Sequence, residues 1–129
     1  MTEKIRNIFI ISLIAVFLLT ACSALSEISS VNKTGATFMT TFKEDDPQSS
    51  WDMLTPEVQT EVGSLSAWTE FVSLRNFSEW KFSNTQVDNA TAQMDGQSKL
   101  GVDTYSVRLV FLKINESWKI SGVTFKFLK

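Results

Sequence analysis

Histidine is absent from the 129 residues, and cysteine occurs once. Without histidine, the commonest general base and the commonest zinc ligand are missing. A single cysteine excludes an intramolecular disulfide, a Cys-x-x-Cys redox pair and a multi-cysteine metal site. With only two prolines and five glycines, the chain has no long low-complexity run and no internal repeat. It has no glycine-rich phosphate loop and no Gly-x-Ser-x-Gly elbow. The net charge of -2 provides no basic field for a nucleic acid. No cofactor motif and no metal-ligand spacing is present. The length suits one ordinary domain.

What is present is unevenly spread. Lys4 and Arg6 precede an apolar run from Ile8 to Leu19, interrupted only by Ser12. Its 12 residues fall short of the roughly 20 that cross a bilayer as a helix. A positive start, a short apolar core and small residues after it form a secretory signal, which is set apart from the fold. The run ends Leu19-Thr20-Ala21-Cys22, which resembles the lipobox of bacterial lipoproteins. The resemblance implies cleavage after Ala21, a diacylglyceryl group on the Cys22 sulfur, and acylation of the new amino terminus. Acyl chains suit an anchor, because each buried methylene contributes ~0.8 kcal/mol and stable attachment takes more than one chain. Ser23, in place of Asp, resembles the default for outer-membrane sorting in bacteria with two membranes. The expected location is therefore the cell envelope, with the domain held outside the cytoplasm by its N-terminal lipid. The expected division is a signal peptide over 1–21, a lipidated Cys22 and tether over 22–30, and one domain over 31–129.

The domain changes period midway. Val31, Gly35, Phe38, Met39 and Phe42 share one helical face, with Ser30 as the expected cap. Asp46-Pro47 and Thr55-Pro56 each place a capping oxygen before a proline at the first helical position. Trp51 and Leu54 are expected to point inward from the first of these helices, and Val58 and Val62 from the second, which stops near Gly63. Ser64 or Ser66 opens a fourth helix with Trp68, Phe71 and Val72 as its stripe. Strand-like runs follow over 80–87, 91–94, 104–114 and 118–127. Asp95-Gly96 and Asn115-Glu116-Ser117 are expected turns. In the last strand Trp118 and Ile120 have one parity and Val123, Phe125 and Phe127 the other, which predicts a bulge near Gly122. Helices first and strands afterwards argue for an α+β fold, with helices on one face of an antiparallel sheet.

The order of one amphipathic helix, a short Trp51 helix, the Leu54-Thr55-Pro56-Glu57-Val58 turn and helix, a Trp68/Phe71 helix and a four-stranded meander resembles the nuclear transport factor 2-like (cystatin-like) fold. The closing Trp118-Lys119-Ile120-Ser121-Gly122-Val123 strand belongs to the same resemblance. It implies a curved sheet of about four strands around the helices, forming a cone with a pocket. That fold hosts binding modules, dimerisation modules and enzymes, so it does not choose a function.

Enzymes of this fold often use an Asp–His or Asp–Tyr arrangement, and this chain has no histidine. Asp45, Asp46, Asp52, Asp88, Asp103 and Tyr105 are the remaining candidates for acid–base work, but caps, turns and solvated loops account for them more simply. The expected catalytic set is empty. Trp51, Trp68, Phe71, Trp80, Phe82, Tyr105 and Phe111 are candidates to line an apolar pocket. Four Asn-x-Ser/Thr triplets, at Asn32, Asn76, Asn89 and Asn115, read as loop composition. The expected function is a membrane-anchored, non-enzymatic module binding a small ligand or an envelope protein. One rival is a small-pocket enzyme using Asp/Tyr chemistry. Another is a homodimerising structural module, suggested by Phe125 and Phe127 on the face away from Ile120.

Overall fold

A computed structural model describes residues 25–129. The signal segment and the Ala21 and Cys22 assignments lie outside these residues. Four helices come first. The first, α1, is helical over residues 25–43, and its Val31, Phe38, Met39 and Phe42 are fully buried. The tether expected over 22–30 and the Ser30 cap are therefore corrected for 25–30, where the helix is already formed. Serine disfavours a helix interior by at most ~0.7 kcal/mol, and tertiary contacts from this first turn outweigh that. Asn32, read as loop, is helical for the same reason.

The next three helices follow their caps. In α2 (Pro47–Met53), the Asp46 carboxylate accepts from the Ser49 amide, and in α3 (Pro56–Val62) the Thr55 hydroxyl accepts from the Val58 amide. Gly63, at φ 102°, closes α3 in a conformation that side chains disfavour. Ser64 then caps α4 (Leu65–Ser73).

Four antiparallel strands form a meander in the order β1-β2-β3-β4: β1 Glu79–Asp88, β2 Thr91–Leu100, β3 Asp103–Ile114 and β4 Ser117–Phe127. The β1–β2 turn is made at Asn89 (φ 55°) and the β3–β4 turn at Asn115 and Glu116 (φ 50° and 65°). Asp95-Gly96 is not a turn but the middle of β2, opposite a bulge in β1 between Phe82 and Asn84. Gly96 is there for space. A Cβ at this position would meet the Lys81 carbonyl oxygen and come within 2.7 Å of Phe82 Cα. Aspartate followed by glycine signals a turn from composition alone, whereas here the glycine admits a neighbouring backbone.

The bulge expected near Gly122 is present. Val110 pairs with Gly122 and Phe111 with Ile120, leaving Ser121 as the extra residue. Its effect corrects the assignment of faces. Because one residue is inserted, Val123 and Phe125 return to the face of Trp118 and Ile120, opposite the buried Leu109 and Val107. The Phe125 ring sits 5.4 Å from Phe42, 4.9 Å from Phe77 and 6.0 Å from Phe71. The outer face proposed as a dimer surface contains neither Phe125 nor Phe127, because Phe127 pairs with Tyr105 and shares the parity of Phe125.

The core lies between the sheet and the helices. Phe38, Phe42, Phe77 and Phe111 are fully buried, with Met39, Met94, Leu109 and Ile120 between them. Each such side chain contributes roughly 1.5–3 kcal/mol by leaving water. The helical half is also tied to the β4 edge, where the Thr55 amide donates to the Ile120 carbonyl at 2.9 Å. Replacing Gly96→Ala should cost about 2 kcal/mol, since the obstructing atoms are backbone. Urea denaturation of the two proteins should show the midpoint falling with an unchanged slope; an unaltered midpoint would refute the close approach.

Candidate functional site

The seven aromatic candidates do not converge on one cavity. Phe111 and Trp68 belong to the core, at 0% and 3% exposure. The Trp68 indole N–H is satisfied inside by Ser50 Oγ at 2.8 Å, and Ser50 itself is buried. Phe71 stacks on Trp68 (5.1 Å, 20°) and on Phe125 (23°), and the Arg75 guanidinium carbon lies 3.8 Å from the centre of the Phe71 ring. Burial holds the Arg75 guanidinium below its ordinary pKa, opposed by Tyr105. Trp51 is half-buried on α2, and Phe82 half-buried on β1. Tyr105 packs edge-on between Phe77 and Phe127, at 5.9 and 5.7 Å. The register sets Trp80, Ser98, Tyr105 and Phe127 in a row across all four strands. Ser98 is buried in that row, and its Oγ has no hydrogen-bond partner among the described residues.

The open depressions divide these residues further. A cleft of about 460 Å³ beside the start of β1 and the end of β2 takes only Trp80 from the set, alongside Glu79, Lys81, Ser98, Lys99 and Thr104. A second, of about 370 Å³, lies where α3 and α4 meet β4 and takes Trp68 and Phe71. The interior that the fold could have left open is filled by phenylalanine and methionine. At Gly35 on α1 an added Cβ would meet Met94 Sδ, so the methionine side chain would have to shift.

The acid–base candidates are similarly separated. Asp46 caps α2, Asp45 sits exposed in a turn at φ 52°, and Asp52 accepts from Gln48 on the surface. Asp88 ends β1 in solvent, and Asp103 opens β3 half-exposed. Among the described residues, no carboxylate is buried and no group of three or more metal-ligating side chains gathers. Asp95, on the outer face, is held below the ordinary carboxylate range by the Arg108 side chain, whose Nε donates at 2.7 Å, with a further donor from Gln93.

One polar cluster was missed from the sequence. Glu27, in the first described turn of α1, accepts from Lys113 Nζ at 2.8 Å and from the Trp118 indole N–H at 3.1 Å. Lys113 also lies 3.6 Å from Glu116 and 5.8 Å from the centre of the Trp118 ring. These groups surround a polar basin of about 400 Å³ that includes Ser30, Lys33, Thr34 and Ser117. No local signal could join Glu27 to residues 86 and 91 positions away; the contact exists only once the meander brings the β3–β4 turn beside α1.

No family model matches the chain, and no curated protein does. Solved structures do. An NTF-2 like protein of unknown function from Silicibacter pomeroyi DSS-3 superimposes with a TM-score of 0.65 at 13% identity, covering 81% of this chain and 98% of its own. A DUF4783 family protein from Bacteroides uniformis ATCC 8492 gives 0.57 at 12% identity, over 70% and 94% of the two chains. A further chain, bearing NTF2 in its name, gives 0.53 at 14% identity, over 80% and 96%. The fold is thus NTF2-like: helices packed against a curved four-stranded antiparallel sheet. At these identities the likeness establishes architecture alone.

The clamp has a defined pH dependence. The hydrogen bond from Lys113 is the main cause holding the Glu27 carboxyl below its ordinary value, partly offset by burial. The same bond raises Lys113. A carboxyl depressed on folding stabilises the protein above its unfolded pKa, and that contribution is lost as pH falls through the folded value. The raised lysine loses its share only as pH climbs past the ordinary lysine range. Glu27→Gln should therefore melt below the wild type at neutral pH, with the gap closing as the solution is acidified past the carboxylate range. A gap that stays constant down to strong acid would show that Glu27 is not ion-paired.

Proposed function

We propose that this protein is a lipid-anchored extracytoplasmic lipoprotein whose NTF2-like domain is a non-enzymatic, protein-binding module. The anchor is Cys22, on the strength of the Leu19-Thr20-Ala21-Cys22 order after a short apolar core. Among the described residues, no helix is long and apolar enough to cross a membrane.

The observation that favours a protein partner over a small ligand is where apolar surface remains. Among the described residues the concave interior is occupied by the chain's own rings, and the depressions described above open to solvent at its margins. Exposed large apolar side chains instead collect at one end of the sheet. Val102 (97% exposed) tips the β2–β3 turn, while Phe127 and Leu128 end β4. Leu74 stands in the segment leading into β1 at that same end, where the Ser78 amide donates to Lys99. This grouping of exposed apolar side chains at one end supports that end as the face for a protein partner.

Two measurements test the two halves. Labelled fatty acid should enter the wild type and be lost in Cys22→Ala, which should also leave the membrane fraction; labelling that persists would overturn the anchor. A photo-reactive residue at position 102 disturbs no packing and should give a discrete protein adduct in the intact envelope. Adducts no more frequent than from exposed Glu57 on α3 would reject that end as the binding face.

A further inference from the structure

The chain between the proposed anchor and the folded domain is short, and its far end is locked. Glu27, five residues after Cys22, is already bonded to Lys113 on β3 and Trp118 on β4. Five steps of 3.8 Å limit the Cys22–Glu27 separation to about 19 Å, whatever conformation the intervening residues take. Helical geometry from residue 25 onward shortens that reach further, at ~1.5 Å per residue. Over residues 25–30 the expected tether is thus replaced by a helix continuous with the domain.

From this we infer that the domain stands end-on against its own bilayer, with the Glu27–Lys113–Trp118 end seated on phospholipid headgroups and the Val102–Phe127 end pointing away. The inference rests on the proposed lipidation of Cys22. Both sheet turns at the seated end lie beside the clamp, since the Lys113 amide donates to Ala90 in the β1–β2 turn and Asn115-Glu116 make the β3–β4 turn. The chemistry of this end suits a headgroup layer. Lys33 and Lys113 supply cations, Glu27 and Glu116 anions, and Ser30 and Ser117 hydroxyls, all around one shallow polar basin. Zwitterionic headgroups present the complementary mixture of phosphate and ammonium. Leu25, 68% exposed and three residues from Cys22, is the one large exposed apolar side chain at this end among the described residues. It is placed to enter the interfacial layer beside the acyl chains. β3, with 12 residues, spans the full length of the sheet and separates the two ends.

The sequence makes a direct test straightforward. Once Cys22 carries lipid, the natural chain has no other thiol, so one introduced cysteine gives one label. Ser117→Cys and Val102→Cys replace exposed residues at opposite ends of the sheet. The lipidated full-length proteins, purified from membranes and placed in phosphatidylethanolamine/phosphatidylglycerol vesicles, would carry a fluorophore read against a headgroup-attached quencher. Quenching at position 117 should exceed that at 102 roughly threefold, because strands rising ~3.3 Å per residue hold the ends on the order of 35 Å apart. Adding Glu27→Gln, with folding verified by circular dichroism, should reduce the difference by freeing the first turn of α1. Equal quenching at both positions in protein whose mass shows the lipid would overturn the end-on seating and leave the lipoprotein reading intact. Protein whose mass shows no lipid would overturn both.

Discussion

The architecture depends on one inserted residue. Ser121, the extra residue of β4, reverses the parity of the strand halfway along its length. Without it, Val123 and Phe125 would point out to solvent while Trp118 and Ile120 pointed in. With it, the apolar residues of both halves of β4 meet the helices, and Phe125 fits between Phe42, Phe71 and Phe77. The bulge in β1 opposite Gly96 makes a second local distortion of the sheet. A small domain with no disulfide needs this economy, since every aromatic ring that faces water is lost to the core.

The same constraint explains why the interior is closed. An NTF2-like sheet curves around its helices and can leave a cavity beneath. Here the volume is occupied by Phe38, Phe42, Phe77 and Phe111, with Met39 and Met94 filling the gaps between rings. Methionine suits that role because its unbranched thioether adapts to irregular space. The α1–β2 contact is close at Gly35, where a Cβ would require the Met94 side chain to move. The exposed large apolar side chains accordingly stand at the ends of the sheet rather than on its concave face.

Most of the element order was legible before any coordinates. The proline-led helix starts, the Gly63 stop, the β3 alternation and the Gly122 neighbourhood each rest on local chemistry acting within a few residues. The misreadings share a different cause. Asp95-Gly96 carries turn composition, yet the glycine answers to the backbone of a neighbouring strand. Residues 25–30 carry tether composition, yet Glu27 is held by partners at the far end of the chain. The dimer face assigned to Phe125 and Phe127 follows from counting parity without settling where the extra residue falls. The candidate pocket residues divide for the same reason, Trp80 bordering one depression and Trp68 and Phe71 another: a ring's apolar character is visible in sequence, whereas whether it lines space or fills it depends on every neighbour across the sheet.

These long-range contacts also bear on how the molecule is organised with respect to its proposed anchor. A lipid on a flexible tether would leave the domain free to tumble, and either end of the sheet could meet the bilayer. Glu27 changes that, because its two partners lie on adjacent strands and restrain the helix in two directions at once. The indole N–H fixes the carboxylate laterally, while the Lys113 ammonium supplies the charge that keeps it ionised. Exposed ion pairs contribute little to stability, and that discount applies here. Their value in this place is geometric: even a modest bias suffices to orient a body whose attachment point is already within a few residues. On the proposed lipoprotein reading, a filled interior and a base held at the membrane leave the Val102–Phe127 end, where exposed apolar side chains stand, as the face for a partner.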